Sequence, residues 1–357
     1  MIETHVVNAL ILPSIKEEPF HKVLTFINGL VAPTFLFCAG FAFAISLHRK
    51  RDHFSFVSRH YWRYLFRLLF ILVVGYSLHL PFFSLSRLRE LHDPQTWLPF
   101  FQADILQTIS VSLFMAALVA AFVRSEAAVF RTIGALALIF IFAAPVVREA
   151  DLGAFPAWLT PYLTMQVKTQ FPLFPWAAFL LGGAVVGMLF IRSAEKSRAR
   201  GFMKSMLWIS LAVTAASLLA ELLPVTIYPH HDFWKGSPEF FFVRFGIVLI
   251  ALWGLWQYEQ KYPQAGSSPV SLFGQESLLV YVVHLLVVYG YTYEYSFIRM
   301  FGPTLRYPQT FGLFAALALA MYALAYGWHS IKRWNRRTAS YIQFAVLAGI
   351  VVAFVLK

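Results

Sequence analysis

The sequence is poor in cysteine and in charged residues. Its 357 residues include one cysteine, Cys38, and only 13% of them are Asp, Glu, Lys or Arg. A single cysteine excludes a disulfide-stabilised secreted domain and a cysteine-rich metal module. Soluble domains carry about 25% charged residues, so the low charge also argues against a globular protein in water.

Recognisable catalytic and metal-binding motifs are scarce as well. The chain has no nucleophilic-serine elbow, no phosphate-binding glycine loop and no kinase signature. Residues 228–232 read Tyr-Pro-His-His-Asp, but adjacent ligands on a loop lack the spacing of a zinc site, so we expect no metal cofactor. Motif spacing alone therefore names no reaction.

Hydrophobic residues dominate what is present. They make up 59% of the chain, and the mean hydropathy is +0.65. They form ten continuous stretches, each close to the roughly 20 residues that a helix needs to cross a bilayer, and their lack of alternation excludes a β-barrel. We predict an all-α, polytopic membrane helix bundle. Its ten predicted spans are residues 23–47, 65–86, 104–123, 132–148, 169–191, 205–223, 240–258, 273–293, 308–330 and 338–356.

Basic residues are concentrated in alternate loops. Eighteen of the 29 Lys and Arg residues, but only five of the 17 acidic ones, lie in or beside these loops. By the positive-inside rule these loops face the cytoplasm, which places the C-terminus outside. The net charge of +12 thus reflects topology, and we expect no nucleic-acid partner. The loops are residues 48–67, 124–131, 192–204, the segment around 261, and 332–337.

Residues 1–12 are apolar but too short to cross a bilayer. As a helix they reach only about 18 Å, and they lack the basic region and cleavage site of a signal peptide. Because the span at 23–47 must enter from outside, we predict that residues 1–12 are the outer part of a partial first helix whose inner part is missing. An interfacial N-terminal segment is the alternative.

No segment has the length or composition of an inter-domain linker. The longer outer loops are rich in proline and aromatic residues, which is typical of packed interfacial loops. We find no internal repeat. The sequence therefore predicts a single membrane domain, residues 1–357.

Polar residues inside the predicted spans gather toward the outer side. Such residues are costly in a bilayer and are functional candidates by default. His5 and His21 flank one short outer loop, and an unperturbed imidazole pKa near 6.5 suits a side chain that takes up and returns a proton. Asp104 and Gln107 begin one span, and His284 lies near the middle of another. Helix capping by Asp104 and simple packing of His284 are the alternatives.

Five segments share a pattern with one known family. Asn28–Gly40 contains Pro-x-Phe-x-Phe-x-x-Gly, and Asp104–Ile109 reads Asp-Ile-Leu-Gln-Thr-Ile. Met1–Ala9, Phe171–Trp176 and Gly274–His284 complete the set. Together they resemble the catalytic domain of heparan-alpha-glucosaminide N-acetyltransferase and its bacterial relatives, in the transmembrane acyltransferase superfamily. The family has eleven helices, which matches ten spans and a partial first helix.

The resemblance implies that an acyl group, acetyl in the simplest case, passes from cytoplasmic acyl-CoA to a sugar amine or hydroxyl of an envelope glycan or glycolipid. His21 lies where the family has its catalytic histidine, and His5 lies at the polar position of the first helix. Either ring would act as general base or carry the acyl group transiently. The supporting residues are Asn8, Asp104, Gln107 and His284.

Four arginines on the predicted cytoplasmic side are candidates for binding the phosphates of CoA. The positive-inside rule accounts for the same residues without a ligand. The four are Arg49, Arg51, Arg59 and Arg63. Two departures from the family pattern are Gly29, where an acidic residue or histidine is usual, and the absence of Asp-x-x-Arg-Gly from the first helix.

A proton-coupled transporter or permease is the alternative function. Mid-span His284 and the outer carboxylates would then form a proton relay, but the sequence lacks the paired Gly or Pro breaks of many transporters. A structural protein with aromatic loops is a third class. We expect a multi-pass protein of the cytoplasmic membrane, with lipid and a glycan or glycolipid as partners; the sequence leaves homo-oligomerisation open.

Overall fold

The structure, a computed structural model, describes residues 1–164, 169–223, 228, 236–263, 268–290 and 295–357. The histidines and the aspartate at 230–232 lie outside the described residues. Within those residues the secondary structure is helical and contains no strand; one isolated parallel bridge pairs Ile11 with Leu305.

The helices follow one another with short connections. Three 3₁₀ helices are interspersed, at Pro13–Glu17, Arg51–His53 and Leu98–Phe101. The α-helices are α1 (Ile2–Leu10), α2 (Pro19–Asn28), α3 (Val31–Arg49), α4 (Arg59–Ser77), α5 (Leu85–Arg89), α6 (Pro94–Trp97), α7 (Ile105–Phe122), α8 (Glu126–Phe142), α9 (Ala144–Glu149), α10 (Thr160–Leu163), α11 (Leu173–Glu195), α12 (Ala199–Ala220), α13 (Pro238–Lys261), α14 (Pro269–Gln275), α15 (Ser277–Tyr289), α16 (Phe297–Phe301), α17 (Tyr307–Trp334) and α18 (Arg336–Leu356).

Every predicted span overlaps a helix or a helix pair. Among the described residues, seven helical segments are long and apolar enough to cross a membrane, with Pro19–Arg49 counted as one, and the bent pair of α14 and α15 would be an eighth. These helices confirm a polytopic helical membrane protein. The count of ten full spans and a partial one stays a prediction, because α4 and α8 are not among the seven.

Two predicted spans differ from the helices that occupy them. The span at 65–86 is wrong at both ends, since α4 runs from Arg59 to Ser77. Pro81 disfavours the helical conformation at the residue before it, so the chain leaves the helix and His79 lies beyond its end. The span at 273–293 is not one helix either, because α14 and α15 meet at Glu276 with a bend of 85°.

The chain groups into two compact units. Unit 1 comprises Met1–Gly29, Leu80–Trp97 and Tyr262–Lys357, and unit 2 comprises Leu30–His79 and Leu98–Lys261. Both are built from apolar helices. That the chain forms a single membrane domain stays a prediction.

In unit 1, the short helix α1 is buried among α15, α16 and α17. Val6 and Leu10 are fully buried and pack in one cluster with Met321 and Ala325 of α17. The backbone N–H of Leu305 donates to Leu10 O over 2.9 Å, and the N–H of Leu12 donates to Leu305 O over 2.9 Å. Packing and these two bonds hold α1, and with it His5, in one place.

In unit 2, α3 and α11 approach each other at glycines. A Cβ atom added at Gly40 would lie 1.8 Å from the carbonyl oxygen of Leu180, and one added at Gly183 would lie 2.2 Å from that of Phe37. Small residues that let helix backbones touch are a common way to pack helices in a membrane. The same device recurs where Gly75 of α4 faces α7.

Candidate functional site

His5 of α1 lies in a cluster of rings in unit 1. Its Nδ1 is 3.2 Å from the hydroxyl oxygen of Tyr289, and the Tyr289 ring meets the imidazole edge-on at a centroid distance of 5.6 Å. The ring of His284 lies 5.3 Å away at an angle of 51°. The fold thus brings together two of the predicted residues, His5 and His284, and adds a tyrosine hydroxyl to them.

His284 of α15 is held in a single tautomer. Its side chain is only 1% exposed, and its Nδ1 lies 2.6 Å from the carbonyl oxygen of Val280, which can only accept. Nδ1 therefore carries the proton, and in a neutral ring Nε2 is then the acceptor. This Nε2 is buried and has no hydrogen-bond partner among the described residues. The open nitrogen is ready to accept a proton or a hydrogen bond.

His21 is a second buried imidazole in unit 1. It lies in the first turn of α2, directly after Pro19, and is 6% exposed. Its Nδ1 is buried and likewise has no hydrogen-bond partner within the described part of the chain. At the other end of α2, the amide of Asn28 donates to Glu3 of α1 over 3.3 Å. The predicted helper Asn8 is exposed on α1.

Asp104 of unit 2 performs the capping role that was one alternative for it. One carboxylate oxygen accepts from the backbone N–H of Ile105 over 2.7 Å, at the start of α7. The other lies 3.2 Å from Nε2 of His79. The pair of His79 and Asp104 is thus available to hold or pass a proton, in addition to fixing the end of the helix.

Gln107 is the most unusual predicted residue of unit 2. Its side chain is fully buried in α7, and neither its amide oxygen nor its amide nitrogen has a partner among the described residues. The amide occupies space that Gly75 leaves free, since a Cβ there would lie 2.8 Å from the Gln107 oxygen. A buried unpaired amide costs about 1–3 kcal/mol, which makes this position a candidate for binding a polar group.

The four predicted phosphate-binding arginines divide into two kinds. The guanidinium of Arg51 donates to the carbonyl oxygens of Ala120 at 2.7 Å, Val123, and Arg124 at 2.9 Å, and so caps the C-terminal end of α7. Arg49, Arg59 and Arg63 are exposed. The structure therefore gives Arg51 a structural role that the sequence did not indicate.

Arg51→Gln should destabilise the protein by about 1–3 kcal/mol, because hydrogen bonds to a charged group are lost from three carbonyls at once. Thermal unfolding in detergent measures the effect. Lys50→Gln is the matched control, since Lys50 is exposed and adjacent, and a surface change of this kind stays within about 0.5 kcal/mol. Equal unfolding temperatures for the two variants would contradict the capping role.

Several residues around these sites were not predicted. Tyr289 contacts His5 across most of the sequence, and His79 was not expected to pair with Asp104. No local pattern announces such pairs, because they depend on how distant segments pack. Within the described residues, no group of three His, Cys, Asp or Glu side chains could hold a metal ion.

Comparison with known proteins identifies one family. Residues 1–220, more than half of the chain, match the family described as "Heparan-alpha-glucosaminide N-acetyltransferase, catalytic". No curated protein and no solved structure matches the chain. The match includes His5, His21 and Gln107 and ends before α15, so it does not reach His284. The resemblance seen in the sequence is confirmed.

Proposed function

The chain belongs to the heparan-alpha-glucosaminide N-acetyltransferase catalytic family, and on that premise we propose that it moves an acyl group, in the simplest case acetyl, from cytoplasmic acyl-CoA to an amine or hydroxyl of an envelope glycan or glycolipid. Membership supports an enzyme of the acetyltransferase type in a membrane. The donor, the acceptor and the catalytic histidine are the parts that we add.

One observation carries the proposal. In unit 1, two imidazoles are more than nine-tenths buried, and each has a ring nitrogen without a partner among the described residues. Burying an unpaired polar atom costs about 1–3 kcal/mol, so such atoms call for an explanation, and a substrate that completes the hydrogen bond is one. The two are His21 and His284.

The reaction needs a base and then an acid. The acceptor nitrogen or oxygen attacks the carbonyl carbon of the thioester, the C–S bond breaks, and the proton of the acceptor ends on the sulfur of CoA. We assign the proton transfer to His21, with His5 and its partner Tyr289 next in rank. Transient acylation of the histidine is the variant of this mechanism.

Four further residues support this chemistry in our proposal. His284 offers its open Nε2 as an acceptor, and Gln107 offers an unpaired amide N–H to a carbonyl oxygen of a substrate. Asp104 holds His79, and exposed Asn8 is available to an acceptor hydroxyl.

Membranes supplied with acetyl-CoA labelled in the acetyl group and an envelope extract test the function directly. We expect label to pass into a glycan or glycolipid fraction. Alkaline hydroxylamine then separates the two products, because it releases an O-acetyl ester and leaves an N-acetyl amide intact. If the protein consumes no thioester with any extract, the enzyme proposal is wrong; pH-dependent uptake of a solute in its place would favour the transporter.

On the donor side, we propose that the exposed arginines Arg49, Arg59 and Arg63 attract the phosphates of CoA. Arg59→Gln and Arg63→Gln should each raise the KM for acyl-CoA about two- to fivefold, the effect of losing up to about 1 kcal/mol of exposed ion pairing, and leave kcat nearly unchanged. Steady-state kinetics at low salt measures this.

Arg336→Gln is the control for the donor site. Arg336 is also exposed and lies on the same predicted side of the membrane, but it is in unit 1. An equal rise in KM for this variant would show a general effect of surface charge and would contradict a phosphate site at Arg59 and Arg63.

We infer the topology from the same charges. All ten predicted stretches would cross the cytoplasmic membrane, with the basic loops inside and the C-terminus outside. Lipid and the envelope acceptor are then the partners of the protein, and association of several copies is compatible with this arrangement.

A further inference from the structure

Glu276 lies at an unusual place in unit 1. It is the residue between α14 and α15, where the helix pair bends by 85°. Its backbone closes both helices, since its N–H donates to Leu272 O and its carbonyl accepts from Val280 N. Its side chain is only 4% exposed. A buried carboxylate at a helix break is costly unless it has cationic partners.

Two cationic or titratable side chains of α17 meet this carboxylate. Lys332 Nζ lies 2.5 Å from one oxygen and 2.6 Å from the other, and His329 Nδ1 lies 3.1 Å from the first. Both belong to the last two turns of α17. The bend is therefore tied by its side chain to a second helix, and removing one partner would leave a buried charge without compensation.

The tie continues a packed interface. Along α17 the buried residues Leu317, Met321 and Ala325 precede His329 at spacings of four residues, so they share one face of the helix. They pack in one cluster with Leu272 of α14 and Val280 of α15. The ionic contact thus lies at the end of the surface on which the broken pair rests.

The helix that Glu276 begins also carries His284. These residues are eight positions apart, about 12 Å along a helix. The imidazole of His284 donates to Val280 O, which lies in the first turn after Glu276, and its ring faces His5. A shift in the start of α15 would therefore move His284 relative to α1.

We propose that Glu276, Lys332 and His329 form an ionic clamp that fixes the bend and positions His284 beside His5. The proposal rests on the proposed acyl transfer for its kinetic consequence, but the position of α15 can be measured without it. Glu276, Lys332 and His329 are positioning residues in this account, and none of them needs to touch a substrate.

Glu276→Gln tests the clamp, because it keeps the size of the side chain and removes its charge. We expect kcat for acyl transfer to fall about a hundredfold, the usual effect of displacing a reacting group by about 1 Å, with the KM for acyl-CoA changed less than twofold. The exchanged pair Glu276→Lys with Lys332→Glu should recover most of the rate. Glu259→Gln, an exposed carboxylate of α13, should change neither constant.

Cysteine labelling supplies a readout that does not depend on activity. The chain has one cysteine, so Cys38→Ser provides a cysteine-free background. A cysteine at Val280, which is 7% exposed and one turn from His284, should react slowly with a water-soluble maleimide and at least tenfold faster once Glu276→Gln is added. Elution as a single folded species in detergent shows that the variants are not simply unfolded.

The outcomes separate the clamp from the proposed function. Unchanged labelling at position 280 in Glu276→Gln overturns the clamp, whether or not the protein transfers acyl groups. Faster labelling with an unchanged kcat overturns the positioning of His284. If the parent protein transfers no acyl group, the proposed function fails, and the labelling result alone decides the clamp.

Discussion

His21→Ala should lower the turnover number for acyl transfer at least a hundredfold while the protein still folds. A positioned general base contributes about 10²- to 10⁴-fold to such a reaction. His21 is the predicted base whose buried ring offers a nitrogen without a partner among the described residues, and the family match includes it. Single-turnover rates with labelled acetyl-CoA, compared at equal amounts of folded protein, measure the loss.

His92→Ala is the matched control for this prediction, because His92 is exposed in the same unit and its removal should leave the rate within twofold. We expect His5→Ala to rank second among the histidine variants and His284→Ala third. A rate above one tenth of the parent value in His21→Ala would show that this ring is not the base. Acid quenching during turnover would then show whether another histidine carries the label.

The helices follow closely from the sequence where a polar residue marks the boundary. The stretch predicted at 104–123 is α7, Ile105–Phe122, because Asp104 both ends the apolar run and caps the helix. The stretch at 65–86 failed because apolar residues continue past Ser77 although Pro81 stops the helix. Hydropathy measures transfer into lipid and does not register the backbone constraint.

The site was only partly predictable for a different reason. His5 and His284 could be singled out because ionisable residues are rare in apolar runs, but their contact joins positions 279 residues apart. The clamp at Glu276 depends likewise on how α17 lies against the bend. Arg51 shows the converse, since counting basic residues gave a topology signal and could not reveal that its donors cap α7.

Gly40→Ala should destabilise the protein strongly, by about 3 kcal/mol, at the upper end of the usual range for overpacking. The new Cβ would lie 1.8 Å from the carbonyl oxygen of Leu180 and 2.8 Å from the backbone nitrogen of Ala184. These are backbone atoms of α11, which cannot rotate away as a side chain does, so α3 and α11 must separate. We expect a lower unfolding temperature in detergent and a lower yield of folded protein.

Gly254→Ala separates this steric effect from the helix propensity of alanine. Gly254 is exposed within α13, and a Cβ there would meet nothing within 4 Å. Alanine should therefore stabilise that helix by about 0.5–1 kcal/mol. If Gly40→Ala unfolded at the same temperature as Gly254→Ala, the close contact of α3 with α11 would be wrong. Opposite shifts in the two variants would mean that the backbones of these helices touch at Gly40, as small-residue packing in a membrane requires.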